Sequence, residues 1–236
     1  MRGLETDRPD ITESAYSVDA GHFQIETDVF KTVRNGTISN HIRQNFYNLA
    51  NLKIGINNRS DLQLVVENFV TEKISAGSQV SRSSGFGQLT LRYKYNLWGN
   101  DDGKSALAVM PYVSFPSGKF VEHNSLEGGI IFPFALALTD VWGMGAQAQV
   151  DIIKTESGYD QQLLNSITFA RDFASNWNAF IESYYTYQFK SALFTLSLNG
   201  GISYSISDNL KLDAGFNYGL TKNTDKVYFT GFSFRY

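Results

Sequence analysis

The chain has 236 residues, of which 42% are hydrophobic, a formal charge of -3 and a mean hydropathy of -0.23. The longest nearly uncharged apolar run, about Gly128 to Leu138, is too short to cross a bilayer as a helix. No basic run offers the electrostatic footprint that nucleic acid requires, and the absence of cysteine removes disulfides and thiolate metal sites.

The first twenty residues open on Met1-Arg2-Gly3-Leu4 and contain no apolar signal core. The expectation is that a secretory signal has been cleaved. Residues 1–20 are read as a periplasmic or lumen-plugging segment, ahead of a single β domain over residues 21–236.

From Gly21 onward apolar and polar residues alternate with period two, the signature of a strand with two unlike faces. Phe23, Ile25 and Val29 alternate with Gln24, Glu26 and Asp28. Phe46, Ala50, Leu52, Ile54 and Ile56 then oppose Arg43, Asn45, Asn51 and Lys53. A third segment carries Leu62, Leu64, Val66 and Val70, and a fourth sets Leu89, Leu91, Tyr93, Tyr95 and Leu97 against Arg92 and Lys94. Leu107 to Phe115 and Leu126 to Leu138 follow, with Pro111 and Pro133 near opposite positions of one hairpin, where a bulge is expected. Trp142 to Ile152 sets Met144, Ala146, Ala148 and Val150 against Gln147, Gln149 and Asp151. Leu163 to Phe173, Trp177 to Phe189, Phe194 to Ile206, Leu210 to Leu220 and Tyr228 to Tyr236 complete twelve segments. Nearly all are longer than the five or six residues typical of soluble strands.

Compact polar turns such as Asn57-Asn58-Arg59-Ser60 and Ser207-Asp208-Asn209 close every second hairpin. The connections near Thr32–Asn40, Lys73–Ser84, Pro116–Asn124 and Thr155–Asp160 are mostly longer. That alternation predicts a closed antiparallel transmembrane β-barrel of twelve strands, with short periplasmic turns and both chain ends periplasmic. In lipid an open sheet would strand backbone donors and acceptors, so the last strand must pair with the first.

Alternation alone does not say which face meets lipid. One face is nearly free of charge, Arg171 beside a turn being the exception, and an interfacial arginine can snorkel. The other face supplies the expected lumen lining of Glu26, Asp28, Arg43, Lys53, Glu67, Arg92, Lys94, Asp151, Glu182 and Tyr184. Trp98, Trp142 and Trp177 each flank a short turn, as membrane-interface aromatics would.

Two stretches carry a resemblance. Leu4-Glu5-Thr6-Asp7-Arg8-Pro9-Asp10-Ile11-Thr12-Glu13-Ser14, followed by Gly21-His22-Phe23-Gln24-Ile25-Glu26-Thr27, resembles the opening of the outer-membrane transporter family named after the meta-pathway of phenol degradation. The end, with Phe232, Phe234 and Tyr236 alternating, is similar to the signal read by the barrel-assembly machinery. The family resemblance implies uptake of small hydrophobic or aromatic compounds. Its motif lies just ahead of the barrel, on a segment long enough to fold back into the lumen, which makes Asp7, Arg8 and Asp10 a candidate plug. Arg8 is expected to pair with a lumen carboxylate such as Glu26 or Glu182.

The reading is a channel or transporter for small solutes in the bacterial outer membrane, with lipid, the assembly machinery, a small solute and an envelope complex as partners. The alternative is a non-catalytic accessory subunit of that complex, and an outer-membrane hydrolase ranks behind both. His22, His41 and His123 show no serine and orienting partner on a shared face, so no catalytic residue is assigned. Neither metal nor cofactor is expected.

Overall fold

The computed structural model describes residues 1–36, 40–118, 125–222 and 224–236. His123 and most of the expected connection Pro116–Asn124 lie outside the described residues, as does the middle of Thr32–Asn40. Thirteen strands are formed: β1 Phe23–Gly36, β2 Asn40–Asn57, β3 Ser60–Ala76, β4 Gln79–Gly85, β5 Leu89–Trp98, β6 Ser105–Phe115 and β7 Glu127–Ala137, then β8 Trp142–Thr155, β9 Gly158–Ala174, β10 Trp177–Gln188, β11 Leu193–Ser207, β12 Leu210–Gly219 and β13 Lys226–Arg235.

They form one antiparallel sheet in which β1 pairs with both β2 and β13, closing the wall on itself. At the seam the Phe23 N–H donates to the Tyr236 carbonyl at 2.9 Å and the Tyr236 N–H returns to Phe23 at 2.8 Å. β4 pairs with the Val70–Ala76 half of β3, and β5 with its Ser60–Val66 half. The two are therefore one stave interrupted at Phe86–Gln88, and the barrel has the expected twelve staves. Closure pairs β1 with β13, so the first and last strands present no open edge, which is what a sheet in hydrocarbon needs.

Burial is inverted relative to a water-soluble protein. Lys94, Glu26 and Glu182 are 1–2% exposed, whereas Phe23 and Ile181 are 55% and 61% exposed. The apolar face points out of the wall and the charged face into the bore, which resolves the ambiguity left by alternation alone.

The bounds differ from the sequence reading where glycine makes tighter turns possible. Much of Lys73–Ser84 and Thr155–Asp160 is strand, because Gly77 (φ 59°) opens a two-residue hairpin turn and Gly158 (φ 115°) directly follows the Glu156–Ser157 turn, both in the left-handed region that glycine adopts freely. The β6–β7 hairpin shows no extra residue at its prolines. Its pairing is interrupted between Leu107↔Phe134 and Met110↔Ile131 and resumes in the same register, so the missing donor is absorbed as a gap in the ladder.

A bulge occurs instead at Val29, where the β1–β13 register shifts, and opposite it Asn48 takes φ 55°. Beyond this line the faces exchange. Lys31 now pairs with Phe229, whose ring lies beneath Arg8 in the bore, and Lys31 stands over the Phe46 ring. Phe46 thus turns inward, while Phe30, Tyr47 and Phe69 make a run of ring contacts on the outer surface. Arg43 is carried outward by the same exchange, and its expected place in the lumen lining is corrected. It is exposed, pairs with Arg34, and bonds Asn45 of its own strand.

Candidate functional site

Residues 1–22 have no strand or helix of their own and run inside the barrel. A buried backbone must still place its N–H groups, and here side chains of the wall accept them. Glu26 takes the N–H of Asp7 (3.0 Å) and of Arg8 (3.1 Å), and Glu182 takes those of Ile11 (2.9 Å) and Thr12 (2.8 Å). Gln147 accepts from Glu13, Asn100 from Ser17 and Asp61 from Val18. Inward positions of staves all round the ring contribute, which explains why so many buried polar residues sit on the inner face.

The charged groups of the segment meet those of the wall in one tier. Asp7 lies between Lys53 Nζ and Lys94 Nζ, each 2.5 Å away, and Lys53 also pairs with Glu26. Arg8 bridges Asp28 and Asp213, both at 2.5 Å. The expected partners Glu26 and Glu182 bond the backbone of the segment, while the Arg8 side chain takes the two aspartates. Glu13 pairs with Arg92 at 2.7 Å. Asp10 lies beside Glu182 and Thr168.

Burial and charge set the protonation of the segment. Burial pushes the Asp7 carboxyl up, but Lys53 and Lys94 outweigh it and hold the group well below the usual carboxylate range. Burial likewise opposes the charge on Arg8, and Asp28 and Asp213 more than restore it. Burial raises Asp10, with the neighbouring Glu182 carboxylate adding to the effect. Glu13 is pushed up to about 7 by burial, which exceeds the pull of Arg92; its second oxygen has no hydrogen-bond partner among the described residues.

A second tie lies at the short-turn end. The Arg2 guanidinium binds Asp19 (2.7 Å) and the Ser17 carbonyl (3.1 Å), and Arg235 of β13 donates to the carbonyls of Arg2 (2.9 Å) and Gly3 (3.1 Å). The segment is therefore a loop that enters the bore and returns, pinned at its rim and at its apex. A cavity of about 620 Å³ remains between it and the β7–β11 wall, lined in part by Glu5, Asp10, Glu13, Phe134 and Thr168.

Other expected site residues lie apart from the segment. Glu67 accepts the Gln88 N–H at 2.9 Å beside the interrupted stave, and Tyr184 accepts from Asn217. Asp151 accepts from Tyr112 at 2.5 Å. Trp98, Trp142 and Trp177 are all exposed at the short-turn end, where Arg171 stands over the Trp142 ring and Trp177 contacts Phe173 and Tyr204. Phe232 and Phe234 lie on β13 opposite Thr27 and Ile25 of the closing seam. His22 is exposed and contacts the Ala20 carbonyl. Glu13, Asp213, Arg2 and Arg235 also belong to the network. Placement on polar faces or in the opening motif hinted at the first two and at Arg235; nothing in the sequence pointed to Arg2.

The model of the family described as "Putative MetA-pathway of phenol degradation" matches residues 6–236. The chain belongs to this family. The fold of this phenol-degradation family member is shared by solved outer-membrane barrels. The COG4313 outer membrane channel from Pseudomonas putida F1 is 11% identical with a TM-score of 0.69, covering 94% of this chain and 98% of its own. The NanC porin is 9% identical with a TM-score of 0.60 over 89% and 98% of the two chains. The translocator domain of the autotransporter NalP from Neisseria meningitidis is 8% identical with a TM-score of 0.61, covering 91% and 88%. No curated protein matches the sequence.

Proposed function

We propose that the protein is an outer-membrane channel for small amphipathic solutes, closed at its short-turn end by the N-terminal segment, which serves as its gate. The observation that carries this is that chain which is not part of the wall joins the tier from Lys53 through Asp7 and Arg8 to Asp213 on one side of the bore and bonds Glu182 and Gln147 on β10 and β8. A structural rivet would be better made from apolar residues, because buried ion pairs repay their desolvation poorly. A gate benefits from them, since they release into water at low cost. Membership of the phenol-degradation family and the fold shared with a channel and a porin support the transport reading.

The lumen beyond the tier mixes Met110, Tyr112, Tyr184 and Phe229 with amides, which suits solutes with both polar and apolar faces. In this reading the short-turn end faces the periplasm, as in barrels whose longer loops lie outside. Single-channel conductance in planar bilayers tests it. Arg8→Gln, or removal of the residues before Gly21, raises conductance, whereas currents equal to those of the intact chain would eliminate the gate.

A further inference from the structure

Above the charged tier, one wall of the bore carries a continuous run of side-chain hydrogen bonds. Gln147 donates to Gln149 at 2.8 Å, and Gln149 donates to Asp151 Oδ1 at 2.8 Å. From the other side Gln188 donates to Gln162 at 3.3 Å, and Gln162 to Asp151 Oδ2 at 3.4 Å. The rungs come from β8, β9 and β10, with Asp151 as a Cα partner of Gln162 and Gln162 of Gln188.

Asp151 orders the run. A carboxylate only accepts, so the amide nitrogens of Gln149 and Gln162 must face it, and their oxygens must then face Gln147 and Gln188. A third donor, the Tyr112 hydroxyl, reaches Asp151 across Gly129. A Cβ at Gly129 would lie 2.6 Å from the Asp151 oxygen and 3.0 Å from the Tyr112 ring, so the bond depends on that glycine. Polarised in this way, Gln162 keeps one N–H and one lone pair free, and Gln149 keeps one lone pair, its second N–H meeting the Tyr112 hydroxyl. Both are half-buried, with an edge left open to the bore.

The wall across the bore is different. Staves β1 to β3 face β8 to β10 in the ring, and beyond the bulge they turn Phe46, Val70 and Lys31 inward. The passage thus offers fixed amide donors and acceptors about 7 Å apart on one side and, on the other, Phe46 and Val70 flanked by Lys31 and the hydrogen-bonded pair Gln44–Glu72.

We propose that Gln147, Gln149, Asp151, Gln162 and Gln188 form a binding track for uncharged, hydroxyl-rich solutes such as polyols and simple sugars. Hydroxyls satisfy free donors and acceptors together, and the C–H face of a sugar ring suits Phe46 and Val70. An anionic solute meets the fixed charge of Asp151. A cationic one finds both Asp151 oxygens already holding donors and, opposite, Lys31 together with a Glu72 whose oxygens hold Gln44 and Ser83. At its lower end the track reaches Gln147, which holds the Glu13 N–H of the gate. The inference deepens the channel reading and rests on it for transport, but not for binding.

Saturation-transfer NMR on the full chain in a detergent without a sugar headgroup reads binding whether or not the bore is open. Glucose, gluconate and glucosamine serve as neutral, anionic and cationic probes. The expected result is transfer to glucose above that to either charged analogue. It weakens about fivefold for each hydrogen bond lost in Gln149→Met and Gln162→Met, and also falls in Asp151→Asn, whose amide no longer orders its neighbours. Equal or stronger transfer to gluconate or glucosamine, or transfer to glucose unchanged in the folded variants, overturns the track. Heat-modifiable migration in gels confirms that each variant has closed its barrel. Liposome swelling with glucose, in the intact chain and in Arg8→Gln, separately tests transport. Binding without swelling in either form would fail the channel reading and leave the track standing.

Discussion

At the scale of the residue, Asp7 holds the N-terminal segment in the bore because it is the shared counterion of two buried ammonium groups. Asp7→Asn leaves Lys53 with Glu26 and Lys94 with the Tyr16 carbonyl, and breaking a buried pair from one side costs about 3–5 kcal/mol. The expected outcome is cleavage after Glu13 by a glutamate-specific protease, in a barrel that still migrates as folded; continued protection would show that the backbone contacts suffice. Gly129→Ala sets a methyl 2.5 Å from the Val150 carbonyl and 2.6 Å from Asp151. The backbone cannot move aside within a closed ladder, so a loss of about 1–3 kcal/mol is expected, read as a lower temperature of heat modification. Asp7 and Arg8 stood out in the sequence through the opening motif, but their partners did not. Arg8 and Asp213 are 205 positions apart, and alternation assigns a residue to a face without saying what stands across the bore.

At the scale of the element, the N-terminal loop responds to pH through carboxyls that burial has altered. Glu13 has its proton bound more tightly when docked, its pKa moving from 4.5 to about 7. A group raised in this direction favours docking fully below 4.5 and loses that contribution as pH rises through about 7. Asp10 shifts in the same sense. Asp7, held low by its two lysines, favours docking above its ordinary value of 3.8 and gives way only in stronger acid. Channel openings in planar bilayers are therefore expected to be rarest near about pH 5 and to increase toward about pH 8. A flat profile would show that neither Asp10 nor Glu13 changes charge on release. The staves themselves were legible, since a two-residue period over long segments leaves little else to build. The exchange of faces at Val29 and Asn48 was not, because a bulge inserts no recognisable residue; it follows from the pairing of Lys31 with Phe229, which only the closed ring reveals.

At the scale of the whole molecule, the three tryptophans share one rim. Brominated lipids labelled near the headgroup should quench their fluorescence strongly, and lipids labelled at the acyl ends weakly. The reverse order would place that rim in the bilayer centre. The twelve-stave closure was expected because lipid tolerates no open edge, whereas the interrupted stave at Phe86–Gln88 left no trace in composition. Arg8 contributes something further to the assembled whole. Its two aspartates belong to β1 and β12, so the guanidinium reaches over β13, the strand whose arrival completes the ring. Gly231 lies directly beneath it and leaves room, since a Cβ there would come within 2.5 Å of the Arg8 nitrogen. The N-terminal segment thereby clasps the joint between β1 and β13, and a molecule that has not finished folding has nowhere for that clasp to fasten.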